Sequence, residues 1–199
     1  ATRIASAALD FDGDGLDELA VVGGKANGTF GVRIVRRNGG VPTGNVQLGT
    51  YEWTSNGGAL LLDLAISGAD LDGSRDGREE LVVAARYSNN VVRVIALSAN
   101  ASGSIAQANN TAMAQWTLPA NEFNGTANLR LAAGDVLLEG RDQVVLLSTR
   151  DSPSQTYAYT ILRAAGSATG TTPAMTFTRR TLTEEAMASQ FVKLTLHGG

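Results

Sequence analysis

Along almost the whole chain, apolar residues either alternate with polar ones or gather in short β-branched runs, and the 3.6-residue spacing of an amphipathic helix is nearly absent. The pattern predicts strands. They come in sets: an alternating run such as LLLDLAI or NLRLAA, then a β-branched run (ELAVV, ELVVAA, QVVLLS), then a second alternating run (FGVRIVRR, NVVRVIALS, TYAYTILRA) and a shorter polar-apolar one (VQLGTYEW, MAQWTL, AMTFTRRTL). The best helical candidate, TEEAMASQF from Thr183, reads as a turn or one short helical segment. Four strands per unit, separated by turn signals, is the pattern of a propeller blade. The fold class expected is therefore all-β, with three four-stranded antiparallel repeats of about 60–65 residues at 1–59, 60–124 and 125–190.

Each unit carries an acidic loop between its first two strands. In LDFDGDGLDELAVV, Asp10, Asp12, Asp14 and Glu18 precede the second strand, and in ISGADLDGSRDGREELVVAA they are matched by Asp70, Asp72, Asp76 and Glu80, with Ser74-Arg75 inserted. LAAGDVLLEGRDQVVLLS keeps Asp135 and Gly140 but has Leu137 and Gln143 at the third and ninth positions. The opening aspartates lie 60 and 65 residues apart.

In the first loop, side-chain oxygens fall at positions 1, 3 and 5, the Leu16 carbonyl at 7 and Glu18 at 9. That alternation suits Ca²⁺, a hard ion that takes six to eight oxygens, and glycines between the ligands let the backbone curl around it. An EF-hand needs a glutamate at position 12, where Val21 stands, and flanking helices, so this is a strand-loop-strand site. The plainer alternative is a tight turn held by Asx hydrogen bonds. In the second loop the ligands expected are Asp70, Asp72, Asp76, the Arg78 carbonyl and Glu80; the alternative is neutralisation by Arg75 or Arg78. No metal is expected in the third, where an ion pair with Arg141 or Arg130 would replace it.

These loops and the strands after them resemble the calcium-loop half of the FG-GAP and VCBS repeats of integrin alpha-chain propellers and many extracellular multi-repeat proteins. The likeness spans all three units and weakens toward the third. One departure is that Phe30-Gly31 follows the loop, whereas the family's Phe-Gly precedes it, which places the chain in the broader repeat group. The resemblance implies a noncatalytic extracellular or cell-surface propeller acting in adhesion or structural assembly. The alternative it leaves open is a lectin-like binder or the scaffold of a polysaccharide lyase.

Composition narrows the field. With 43% hydrophobic residues among 199 the chain can bury a core, and a net charge of -3 argues against a nucleic-acid surface. No apolar run is long enough for a membrane-spanning helix. Sequons at Asn27, Asn100, Asn109 and Asn124 fall in turn-like stretches and predict surface glycosylation. Catalytic constellations are thin: His197 has no evident nucleophile beside it, and Glu184-Glu185 reads as a solvated turn. Trp53 and Trp116, near the ends of fourth strands, are expected to pack between blades, the alternative being sugar-stacking platforms.

Three blades are fewer than the four to eight that close a propeller. The expectation is a segment of a larger propeller, partnered by its remaining blades or by other proteins, with 191–199 as the first strand of a further repeat.

Overall fold

The computed structural model describes residues 3–25, 27–37, 45–53, 57–74, 76–107, 112–118, 129–149, 157–166 and 175–180. The expected strand Phe191 to Leu196, the segment at Thr183, Glu184-Glu185 and His197 lie outside these residues. Among the described residues there are twelve strands and no helix. The first sheet is β1 (Arg3–Leu9), β2 (Glu18–Gly24), β3 (Phe30–Arg37) and β4 (Asn45–Trp53). The second is β5 (Leu61–Ala69), β6 (Glu80–Tyr87), β7 (Val92–Leu97) and β8 (Ala114–Leu118). The third is β9 (Arg130–Gly134), β10 (Gln143–Thr149), β11 (Tyr157–Gly166) and β12 (Met175–Arg180).

Each sheet is an antiparallel meander in chain order, as the alternation and short turns require. The repeat positions also match in register: Glu18 lies opposite Leu9, Glu80 opposite Ala69 and Gln143 opposite Gly134.

The sheets stack face to face. One core joins the first sheet to the second through Phe11, Ala20, Val22, Ile34, Trp53, Leu64, Leu81, Val83 and Tyr87. A second joins the second sheet to the third through Leu71, Val82, Ala84, Val94, Val144, Leu146 and Phe177. Successive side chains of β6 therefore point to different cores, which is why its sequence is apolar with almost no alternation and every residue is buried. In β2, by contrast, only alternate residues are buried.

Trp53 lies in the first of these cores, stacked on Phe30 with ring centroids 6.5 Å apart, and the Arg93 guanidinium of β7 sits 5.8 Å from its ring centre. It packs one sheet on the next and offers no face to a sugar. Trp116 is half-buried against the second core.

Irregularities in the strands serve the stacking. A bulge in β4 leaves Leu48 out of the β3 ladder, and its carbonyl accepts at 3.1 Å the N–H of Ile105, in the connection between β7 and β8. Gly68 of β5 sits so close to the first sheet that a Cβ there would lie 2.7 Å from Leu9 Cβ and 2.9 Å from a Glu79 carboxylate oxygen.

Candidate metal centre

All three acidic loops lie at the same end of their sheets, between first and second strands. Position 9 closes each one. Glu18, Glu80 and Gln143 are 1%, 4% and 0% exposed. Glu18 Oε2 accepts the Phe11 N–H at 2.9 Å, Glu80 Oε2 that of Leu71 at 2.9 Å, and Gln143 Oε1 that of Leu137 at 2.8 Å. The amide of Gln143 does this without charge, so loop closure needs an oxygen acceptor and the carboxylates of the other two are left for something further.

Position 1 organises the turn. Asp10 accepts the N–H groups of Gly13 and Gly15, both at 2.9 Å, and Asp135 those of Glu139 and Gly140. The glycines at Gly15, Gly77 and Gly140 share a left-handed φ of 83°, 83° and 76°. Leu138, at the position of Gly13 and Gly73, is forced to φ 56°. The Asx hydrogen bonds expected of a metal-free turn are thus present, and the carboxylates still converge.

In the first loop Asp10, Asp12 and Glu18 each bring a carboxylate oxygen within 4.8 Å of the others, and in the second Asp70, Asp72 and Glu80 do the same. Asp14 and Asp76 stand outside these sets: each takes an N–H two residues on, from Leu16 and Arg78. The Leu16 side chain is exposed, and that of Arg78 leaves its own loop to donate to the Asp12 carbonyl at 3.2 Å. Arg75 lies outside the described residues.

Burial, first of all, pushes Glu80 up from 4.5 to about 8, with neighbouring Asp72, Asp70 and Asp76 adding to it. Glu18 and Asp70 are raised chiefly by the same cause. Glu80 therefore takes a proton or a cation at neutral pH. Three carboxylate oxygens this close together could hold a metal ion, with Asp70, Asp72 and Glu80 as its holders in the second loop and Asp10, Asp12 and Glu18 in the first.

The two loops differ in one residue that linear spacing does not reveal. Arg36 of β3, one residue beyond the Leu19–Val35 pair that ends the β2–β3 ladder, places Nη1 2.6 Å from Asp12 Oδ2 and 3.9 Å from Asp14 Oδ2. At the matching place in the second sheet stands Ser98, bonded to Gln107. In the third it is Arg163, which pairs with Glu139. The ion pair expected of Arg141 or Arg130 is therefore made by Arg163, because that residue faces Gln143 across the ladder; Arg141 and Arg130 donate to the carbonyls of Ala164 and Leu129.

A further acid, at position 8, was not singled out by the sequence reading. Glu79 Oε2 accepts the Asp10 N–H at 3.1 Å while its own N–H donates to the Asp10 carbonyl at 2.8 Å. Asp142 does the same to Asp70 at 3.0 and 2.7 Å. The first and second loops are thus each tied to the next sheet. The signal was there in the recurrence of an acid, Asp17, Glu79 and Asp142, just before position 9.

Of the sequons, Asn27 is exposed and Asn100 half-buried, its Oδ1 accepting from Ser102 and Ser104; Asn109 and Asn124 lie outside the described residues. No helix of the described residues is long and apolar enough to cross a membrane. Comparison with protein families, curated proteins and solved structures finds no match for the chain.

Proposed function

We propose that the chain is a noncatalytic, extracellular array of propeller blades of the FG-GAP/VCBS kind, in which divalent cations, Ca²⁺ foremost, stiffen the loops that join blade to blade. The observation that carries this reading is the pairing of two features in one place: a three-carboxylate cluster and a two-point clamp from the same loop to the next sheet. A cation held at Asp70, Asp72 and Glu80 fixes the backbone that Asp142 grips, so binding energy goes into the rigidity of the stack. Adhesion or structural assembly through protein contacts is the role such a rigid module serves, with glycans on Asn27 or Asn100 at its surface.

The second loop is the stronger site in this reading, because Ser98 leaves its carboxylates to the ion whereas Arg36 competes at the first. The test is thermal unfolding of the chain in chelator and in millimolar Ca²⁺. A rise in midpoint with Ca²⁺, reduced in Asp72→Asn, is expected; an unchanged midpoint in the unsubstituted chain would refute the cation role.

A further inference from the structure

The connection between β7 and β8 leaves its own sheet and reaches the first one. Its ends are pinned together: the Ser98 N–H donates to Gln107 Oε1 at 2.9 Å, Gln107 Nε2 donates to Ser98 Oγ at 2.8 Å, and the Ala106 N–H reaches the Ser98 carbonyl at 2.9 Å. From that base it crosses to β4, where the Ile105 N–H bonds the Leu48 carbonyl and a Cβ on Gly49 would lie 3.2 Å from Ile105 Cβ.

The tip is a turn closed on Asn100. Asn100 Oδ1 accepts the Ser102 and Ser104 N–H groups at 2.9 and 3.1 Å, the Asn100 N–H donates to the Ser104 carbonyl at 2.7 Å, and the Gly103 N–H donates to the Asn100 carbonyl at 2.9 Å. This sets Gly103, at φ 75°, against Asp12 of the first acidic loop: a Cβ there would lie 2.7 Å from Asp12 Cβ and 3.3 Å from Asp12 Oδ2. Two more residues hold Asp12, Arg78 donating to its carbonyl and Arg36 to Oδ2. Its side chain is 4% exposed, whereas that of Asp14, two residues on, is 41% exposed.

We infer that the turn from Asn100 to Ser104 is a positioning element for the first cation site: by fixing Asp12 it sets that loop's affinity from the second sheet. This rests on the reading of Asp10, Asp12 and Glu18 as cation holders. Their oxygens lie within 4.8 Å of one another with the Asp12 carboxylate in this place. A carboxylate free to turn into water gives up rotamer freedom when it binds an ion, whereas one already walled in does not. The Arg36 guanidinium draws on the same Asp12 oxygen that Gly103 faces, so the turn acts on the ion pair and on the cation site alike.

Isothermal titration of the first loop with Ca²⁺, in an Asp72→Asn background, tests this. Gly103→Ala, whose Cβ meets Asp12, should weaken binding about 10–100-fold, the range for residues that orient a metal ligand. Asn100→Ala, which adds no clash and only frees the turn, should weaken it in the same direction. The second loop, read in an Asp12→Asn background, should be untouched by either. A first-loop affinity unchanged in both variants, or an equal loss at the two loops, overturns the inference. A metal-free readout separates it from the cation reading. In chelator, the stability losses of Gly103→Ala and Arg36→Gln, measured by urea denaturation, should be less than additive in the double variant, since both act through Asp12. Additive losses remove the positioning of Asp12 itself; absence of Ca²⁺ binding in the unsubstituted chain removes the cation reading and with it the site that the turn would serve.

Discussion

Glu79 and Asp10, 69 positions apart, bond to each other twice: the Asp10 N–H reaches the Glu79 carboxylate at 3.1 Å and the Glu79 N–H reaches the Asp10 carbonyl at 2.8 Å. The first loop therefore cannot shift without the second sheet. Glu79→Ala should leave the half-buried Asp10 N–H unpaired and destabilise by about 1–3 kcal/mol, with Glu79→Gln costing less because an oxygen remains. Urea denaturation would measure both; equal losses from Ala and Gln would mean that the charge, not the acceptor, matters.

Stability should fall with rising pH when cations are removed. Glu80 holds its proton to about 8 in the fold but only to 4.5 by its ordinary value, so between these the folded state binds more protons than the unfolded. Stability from this group is full below the lower value, is lost through the window and is flat above it. Glu18, Asp70, Glu79 and Asp142 are raised in the same direction. Denaturation midpoints in chelator should be higher near pH 5 than near pH 8, and Glu80→Gln, which copies Gln143, should shrink the difference.

Leu138 occupies a left-handed conformation and is 71% exposed, so it pays backbone strain with little burial in return. Leu138→Gly should stabilise by about 0.5–1 kcal/mol after the entropy of glycine is deducted. A loss of stability would show that Leu138 makes a contact worth more than its strain.

The sheet order was legible because period-two alternation and turn residues are local, and twelve runs in three sets leave few arrangements. The loop was legible in part. Asp10, Asp12 and Glu18 converge as the spacing implies, but Asp14 turns to the backbone, because an Asx bond two residues on is its nearest partner. Arg36 and Arg163 were not legible, since what brings them to the loops is cross-strand register, which no linear spacing encodes. Glu79 and Asp142 recur in sequence, but their partners lie in a different sheet.

Arg36 should act as a built-in competitor of the first loop's cation. Replacing it, Arg36→Gln, frees Asp12 and should tighten binding there while leaving the second loop unchanged. Luminescence from a bound lanthanide, read in an Asp72→Asn background to silence the second loop, would isolate the effect.

Isothermal titration of the chelated chain with Ca²⁺ tests the central claim most directly. The account predicts two classes of site, with the tighter one abolished by Asp72→Asn and the weaker by Asp12→Asn. Absence of saturable Ca²⁺ binding up to millimolar concentration, or binding untouched by both substitutions, would contradict it.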